Sequence, residues 1–219
     1  MSGKISCLIL GAGGHARVLI DCLRWDSDIA ILGILDANLT LIGQMLDGIP
    51  VLGNDEMINE LVKDGVSHFV VGLGGVGNNQ PRKRLFDLAV QARLLPLAVK
   101  HPTAIISPGV ESGDGCQFLP GCIVNTGARL GVNVIVNSGA IVEHDCVVLD
   151  HTHISTGSRL AGGVYVESGV HIGVGATIRQ GILVGENAVV GAGAVVVKDV
   201  EPNTVVAGVP ARILEKVHA

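Results

Sequence analysis

A six-residue repeat in the second half of the chain constrains its fold more than any other feature. Between residues 106 and 196, fifteen of sixteen positions spaced six apart are large and apolar, and only Ser112 departs. The register holds Ile106, Phe118, Val124, Leu130, Val136, Val142, Val148, Ile154, Leu160, Val166, Ile172, Ile178, Val184, Val190 and Val196. A short fixed period of this kind is typical of a solenoid built from stacked repeats.

Most hexads also carry a smaller residue four places after the large one, usually preceded by glycine, as in Gly115-Cys116 and Gly139-Ala140. This pattern predicts a three-sided prism whose faces are short parallel strands. The large side chain fills the interior, the small one fits where two faces converge, and glycine adopts corner conformations that a Cβ would penalise. Three hexads close one coil, so residues 18 apart stack in about five coils. We therefore predict a left-handed parallel β-helix with a short C-terminal tail over residues 104–219.

The first half, residues 1–103, has a different period. Apolar runs at 5–10, 29–35, 68–73 and 95–99 alternate with helical patterns at 15–25, 54–63 and 81–93. This alternation predicts βαβ units and a small Rossmann-like α/β domain with about four parallel strands.

Composition excludes several classes of function. No apolar run approaches the ~18 residues of a membrane span, and the net charge of −5 without a Lys/Arg cluster disfavours nucleic-acid binding. Five scattered cysteines without C-x-x-C spacing predict neither disulfides nor a zinc site. The N-terminus lacks the features of a signal peptide, so we expect a cytoplasmic protein.

The hexad pattern is interrupted by polar residues near residue 145. Three histidines and three acids fall within 143–153, and the expected corner glycines are replaced by Asp145 and His151. A solenoid core needs none of these side chains, so the cluster suggests acid–base chemistry. A metal site is the alternative, but no ligand spacing repeats.

His144 is the candidate general base, because an imidazole can accept the proton that an amine loses on attacking a thioester. Asp145 could orient its ring and favour the protonated form. His153 lies half a coil further on, on a different face, and His171 stacks on it. His151 and His171 are expected to be surface residues without a role.

These residues resemble a known family. The Glu-His-Asp-Cys run at 143–146, His153, the Gly-Ala-Gly-Gly-His opening at 11–15 and the Ala-Gly-Val-Pro-Ala-Arg ending at 207–212 are similar to the sugar acyltransferases of the sialic acid O-acetyltransferase (NeuD) family. The likeness is greatest to its PglD-type N-acetyltransferases, and it covers essentially the whole chain.

The resemblance implies acetyl-CoA as co-substrate and no metal. It implies that His144 is the base, that Asp145 raises its basicity, and that His153 contacts the thioester. It further implies three positions along the CoA: Gly162, whose N–H would face the thioester carbonyl as an oxyanion donor, and Val174 and Ala192 in a groove between subunits.

In the first domain, the glycine-rich loop follows a strand and opens a helix, which suits a phosphate. A dinucleotide is the competing ligand, but the full G-x-G-x-x-G pattern is absent. The resemblance implies that Gly13, Gly14, His15 and Asp36 bind the nucleotide part of a sugar substrate. The loop at 72–79 resembles the Gly-Asn loop of the family.

The predicted function is therefore N-acetylation of a nucleotide-linked 4-amino-4,6-dideoxy sugar, with UDP favoured as the nucleotide. The alternatives are O-acetylation of sialic acid or another sugar hydroxyl, N-acetylation of a GDP-linked amino sugar of the perosamine type, and a silent scaffold that binds a nucleotide sugar. A homotrimer is expected, with Ile135, Val147 and Val189 exposed on flat outer faces.

Overall fold

The computed structural model describes residues 4–216, which divide into two compact units. The first contains the chain up to Gly74 together with Pro81–Val99, and the second contains Gly75–Gln80 together with the chain from Lys100 onward. Within residues 4–216, no helix is both long enough and apolar enough to cross a membrane.

The first unit is an α/β domain around one six-stranded sheet. Its strands are β1 Ile5–Leu10, β2 Ile29–Leu35, β3 Met45–Leu46, β4 Ile49–Gly53, β5 His68–Val71 and β6 Leu95–Pro96, in the order β3-β4-β2-β1-β5-β6. The helices are α1 Gly14–Leu23, α2 Ile58–Lys63 and α3 Gln80–Gln91, with short 3-10 turns at Leu39–Leu41 and Asp55–Met57. All pairs except β3 with β4 are parallel. The central strand β1 is apolar and fully buried over its last four residues, as expected for a parallel sheet covered on both faces.

The predicted parallel strands and helices of this unit are confirmed, with two differences. The apolar run at 95–99 is divided between β6 and a later strand, Val99–Lys100. The hairpin of β3 and β4 was not predicted. Its signal was the Asp47-Gly48 pair, whose positive φ angles of 46° and 80° suit a two-residue turn.

The second unit is the predicted β-helix. In chain order from β7 to β25, its strands are Val99–Lys100, Ile105–Ile106, Glu111–Ser112, Gln117–Phe118, Ile123–Val124, Arg129–Leu130, Ile135–Val136, Ile141–Val142, Val147–Val148, His153–Ile154, Arg159–Leu160, Tyr165–Val166, His171–Ile172, Thr177–Ile178, Leu183–Val184, Val189–Val190, Val195–Val196, Thr204–Gly208 and Ala211–Lys216. They form three sheets, β25-β24-β22-β19-β16-β13-β10-β7, β23-β20-β17-β14-β11-β8 and β21-β18-β15-β12-β9.

The register of these sheets confirms the predicted repeat. Ile123 pairs with Ile141 and Ile141 with Arg159, each 18 residues further along the chain and each in parallel orientation. The backbone of one coil donates to the next, as in the 2.9 Å bond from the N–H of Ile141 to the carbonyl of Ser158. From β7 to β23, every third strand therefore lies on the same face.

The interior contains the two residue classes that the repeat predicted. The large aliphatic residues from Val124 to Val196 and the small residues between them are almost completely inaccessible to solvent. One expectation was wrong: Ile135, predicted to be exposed on an outer face, is fully buried. Its face is not free, because Gly75 of the 75–80 loop hydrogen-bonds to His153, the residue paired with Ile135. Val147 and Val189 are half-buried.

The corners require left-handed backbone conformations. Glycine supplies most of them, but Asn133, Asp145, His151, Asn187 and Asn203 also have φ between 53° and 60°. Asn, Asp and His are the non-glycine residues that adopt this region most readily. Asp145 and His151 therefore occupy true corners of the coil, as the interrupted glycine pattern predicted.

The last two described strands form a hairpin. Strand β24 pairs in parallel with β22 and then turns at Val209-Pro210 into the antiparallel strand β25. Residues 207–212, which carry the Ala-Gly-Val-Pro-Ala-Arg sequence, thus form the turn of a hairpin. This hairpin extends the eight-stranded sheet of the second unit.

Ile172 and Ile105 give a matched test of this core. Ile172 is completely buried in the prism, whereas Ile105 is 61% exposed. We expect Ile172→Ala to lower the free energy of unfolding by about 2–5 kcal/mol, because the coil cannot collapse around the lost methylene groups. Ile105→Ala should change it by less than about 0.5 kcal/mol. Chemical denaturation measures both, and equal effects would contradict the assigned interior.

Candidate active site

The candidate base and its acid lie at one corner of the coil, between β14 and β15. The ring Nδ1 of His144 is 2.9 Å from Oδ2 of Asp145, and both side chains are largely exposed. An ionised carboxylate only accepts hydrogen bonds, so Nδ1 carries the proton in this contact. The opposite nitrogen, Nε2, is then the basic atom of the neutral ring.

Gly162 stacks one coil beyond His144 and lies directly against its ring. A Cβ at position 162 would stand only 2.6 Å from Cε1 and Nε2 of His144. Glycine is therefore needed here to leave room for the imidazole. The backbone N–H of Gly162 donates to no acceptor within residues 4–216. The residue that packs against the ring of His144 therefore carries a backbone N–H without an acceptor among the described residues.

A second carboxylate lies beside this pair and was not singled out from the sequence. Oε2 of Glu143 accepts a 2.9 Å hydrogen bond from Nδ2 of Asn125, one coil earlier. The 18-residue stacking was the signal that could have identified Asn125 as its partner.

The predicted CoA positions Val174 and Ala192 stack at a different corner, between β19 and β20 and between β22 and β23. Both are exposed, and the N–H of Gly193 donates to the carbonyl of Val174 at 2.8 Å. The structure brings these two residues together, but they do not lie at the corner of His144.

His153 lies in strand β16 and is buried, with both ring nitrogens engaged. Nδ1 is 2.7 Å from the carbonyl of Gly75, and Nε2 is 3.0 Å from Nδ2 of Asn137. The Asn137 side-chain oxygen accepts from the N–H of Ser138, which fixes its amide group toward the ring as a donor. His153 is therefore neutral, with the proton on Nδ1. Asn137 was missed in the sequence, where nothing distinguished it from other surface polar residues.

The expectation that His151 and His171 are surface residues was wrong. Each is only 8% exposed. His171 stacks edge-on against His153 with ring centroids 5.1 Å apart, and Nδ1 of His151 is 3.0 Å from Nδ2 of Asn133. The loop at 75–80 covers this face, since Asn79 donates to the carbonyl of Val170 at 2.8 Å. The sequence could not predict that a segment so far away would pack here.

In the first unit, the predicted nucleotide residues gather at the end of β1. Gly13 is the extended N-cap of α1, and Gly13 and Gly14 are exposed with open space around them. The Asp36 carboxylate accepts from the N–H of Ala12 at 2.6 Å and from that of Asn38 at 2.8 Å. Asp36 therefore shapes the loop that precedes the half-buried His15.

A buried arginine supports the adjoining loop and was not predicted. Nη1 of Arg82 donates to the carbonyls of Val71 at 2.8 Å and Leu73 at 3.0 Å, and the residue is 1% exposed. These bonds hold Gly72, where a Cβ would come within 2.7 Å of the carbonyl oxygen of Gly11. The signal was the placement of Arg82 on the apolar face of α3.

Comparison with known proteins places this geometry in a family. Residues 6–89 match the family described as the PglD N-terminal domain. A structure of a mutant perosamine N-acetyltransferase from Caulobacter crescentus, in complex with CoA and GDP-perosamine, is 34% identical with a TM-score of 0.89, and the match covers 99% of each chain. The chain belongs to the PglD-type acetyltransferase family.

Two further relatives agree with this assignment. The acetyltransferase domain of PglB from Neisseria gonorrhoeae FA1090, in complex with acetyl coenzyme A, is 33% identical with a TM-score of 0.86, over 97% of this chain and 100% of that one. A GDP-perosamine N-acetyltransferase from Escherichia coli O157:H7 is 28% identical over 162 residues, which are 71% of this chain and 70% of the relative.

The cysteines of this PglD-type chain are poorly suited to act as nucleophiles. All five are buried and none forms a disulfide. Burial raises the pKa of the Cys146 thiol, and the nearby Glu143 carboxylate acts in the same direction. A thiol that stays protonated is a weak nucleophile. Within residues 4–216, no group of three or more His, Cys, Asp and Glu side chains is arranged to hold a metal ion.

The burial of His171 in this PglD-type protein predicts a pH-dependent stability. Burial lowers the pKa of His171 below its usual value of 6.5. As the pH falls below about 6.5, the unfolded chain binds a proton before the folded one does, so folding is progressively destabilised. His171→Gln should therefore lose less stability than wild type between pH 7.5 and 5.5. Thermal unfolding followed by circular dichroism at both values measures this difference.

The matched control is His68→Gln, at a half-exposed histidine that begins β5. It should keep the pH dependence of the wild type. If His171→Gln keeps that dependence as well, His171 is not the residue whose burial makes folding sensitive to acid.

Proposed function

We propose that this chain transfers the acetyl group of acetyl-CoA to the amino group of a nucleotide-linked amino sugar. The observation that carries the proposal is the His144–Asp145 pair at 2.9 Å, with the backbone of Gly162 against the basic side of the ring. The relatives support the same chemistry, because two of them are named perosamine N-acetyltransferases and one of these was solved with CoA and GDP-perosamine.

In the proposed reaction, Nε2 of His144 accepts a proton from the sugar amine as the nitrogen attacks the thioester carbonyl. Asp145 holds the ring by Nδ1 and stabilises the imidazolium that forms. The carbonyl oxygen becomes an oxyanion, to which the N–H of Gly162 is proposed to donate. Collapse of this intermediate forms the amide and breaks the carbon–sulfur bond. The proton on His144 then passes to the departing CoA sulfur.

CoA is proposed to run past the exposed pair Val174 and Ala192. Because these residues lie at another corner from His144, we propose that a second copy of the chain completes each site, in a homotrimer with CoA between subunits. A direct contact of His153 with the thioester would require exchange of one of its two hydrogen bonds, to Gly75 or to Asn137.

The nucleotide is proposed to bind at the loop of Gly13, Gly14 and His15, where α1 begins after the extended N-cap Gly13 and the positive end of the helix dipole favours a phosphate. Asp36 is proposed to contribute beside them, from its position on the N–H of Ala12. Because one relative is named a GDP-perosamine N-acetyltransferase and another was solved with GDP-perosamine, we favour GDP over UDP.

A substrate panel distinguishes this proposal from its alternatives. GDP- and UDP-linked 4-amino-4,6-dideoxy sugars, the matching 4-hydroxy sugars and free sialic acid are each mixed with acetyl-CoA, and release of the CoA thiol is followed. We expect turnover with an amino sugar. Turnover with hydroxyl acceptors alone would favour O-acetylation, and binding of nucleotide sugars without binding of acetyl-CoA would favour a scaffold.

Replacing the proposed base gives the sharpest test of the mechanism. His144→Ala should lower kcat by roughly 10²- to 10⁴-fold, because the amine proton loses its acceptor, while acetyl-CoA affinity changes little. Asp145→Asn should lower kcat less, because it removes the charge that holds the ring. Initial rates at saturating acetyl-CoA measure both effects.

The control for this pair is His68→Ala, a histidine at the start of β5 that is not part of the proposed site. It should keep the wild-type rate. If His144→Ala retains more than about a third of that rate, His144 is not the general base.

Assembly is tested separately. We expect a trimer mass by light scattering at micromolar protein concentration. A monomer mass would overturn the proposal that a second subunit completes the CoA groove.

A further inference from the structure

The side chain of Asp145 packs against Gly127 of the preceding coil. A Cβ built at Gly127 would lie 2.5 Å from Oδ1 of Asp145, a separation that real Cβ atoms essentially never show. The other oxygen of the same carboxylate, Oδ2, is the atom 2.9 Å from Nδ1 of His144. Because a carboxylate is rigid and planar, displacing Oδ1 also moves Oδ2.

The corner backbone directs Asp145 toward this glycine. Asp145 has φ of 60°, and Asn187, with φ of 55° at another corner, points its side chain at Gly169 in the same way. A Cβ at Gly169 would lie 2.4 Å from Oδ1 of Asn187. Each of these corner side chains thus lies over the residue 18 positions earlier, and a glycine at that position leaves room for it.

We propose that Gly127 is a positioning residue for the His144–Asp145 pair. Its missing Cβ leaves room for the Asp145 carboxylate in the position from which Oδ2 contacts Nδ1 of His144. The atoms nearest to its Cβ position all belong to Asp145, so Gly127 acts on His144 through that residue. The proposal deepens the proposed function and rests on His144 being the base.

Gly127→Ala tests this idea, and Gly121→Ala is its matched control. Both glycines are corner residues with nearly equal φ, 72° and 69°, so alanine introduces the same backbone strain at each. Gly121 has nothing within 4 Å of its Cβ position, whereas Gly127 has Asp145. The two variants should show similar thermal midpoints, and only Gly127→Ala should lower kcat, by about tenfold with little change in the KM for acetyl-CoA.

A double variant shows whether Gly127 acts through Asp145. In an Asp145→Ala background, Gly127→Ala should cause little further loss, because the carboxylate whose position it disturbs is already absent. If the two losses multiply, Gly127 acts by another route and the proposal is wrong. It is also wrong if Gly127→Ala keeps the rate of Gly121→Ala.

The tautomer of His144 provides a readout independent of activity. Nitrogen-15 NMR of the neutral ring should show the Nδ1–H form in wild type and Gly121→Ala, and a shift toward the Nε2–H form in Gly127→Ala. An unchanged tautomer in Gly127→Ala would overturn the positioning role even if the protein is not an acetyltransferase. A changed tautomer together with full activity of His144→Ala would instead contradict the proposed function alone.

Discussion

Backbone hydrogen bonds between successive coils determine the geometry of the second unit. Each short strand donates to the strand 18 residues further on, so every side chain has a fixed neighbour above and below it. This spacing decides where His144 stands relative to Gly162 and where Asp145 stands relative to Gly127. A site built on such a stack is already oriented before substrate arrives, which is the condition under which a general base and an amide donor are most effective.

The corners of the coil are of two kinds. Most need only a left-handed residue, and glycine or asparagine supplies it. At one corner, Asp145 provides the same backbone conformation and also a carboxylate, and its neighbour His144 projects an imidazole onto the next coil. Asp145 therefore takes the place of the usual corner glycine without disturbing the interior. Val142 and Cys146, on either side of the corner, are completely buried.

The buried histidines lie on an outer face of the prism that another segment of the chain covers. His153 and His171 occupy outward registers of β16 and β19, but the 75–80 loop packs over them. Burial lowers the pKa of His171, and the tautomer of His153 is fixed by its hydrogen bonds to Gly75 and Asn137. Histidine is thus buried on this face and exposed at the corner of His144.

The sequence by itself determined the repeat, the interior and the corner at Asp145, because a period of six with a fixed large and small residue is compatible with one way of stacking. It also located the strands β1 and β2, whose apolar runs are uninterrupted. Only the tertiary structure decided which outward residues are covered. The contacts of Gly75 with His153 and of Arg82 with Val71 join segments through packing that no local period encodes, so Ile135 and His171 were wrongly expected to be exposed. Periodicity predicts whether a side chain points inward or outward, but the burial of an outward side chain depends on whether a distant segment packs over it.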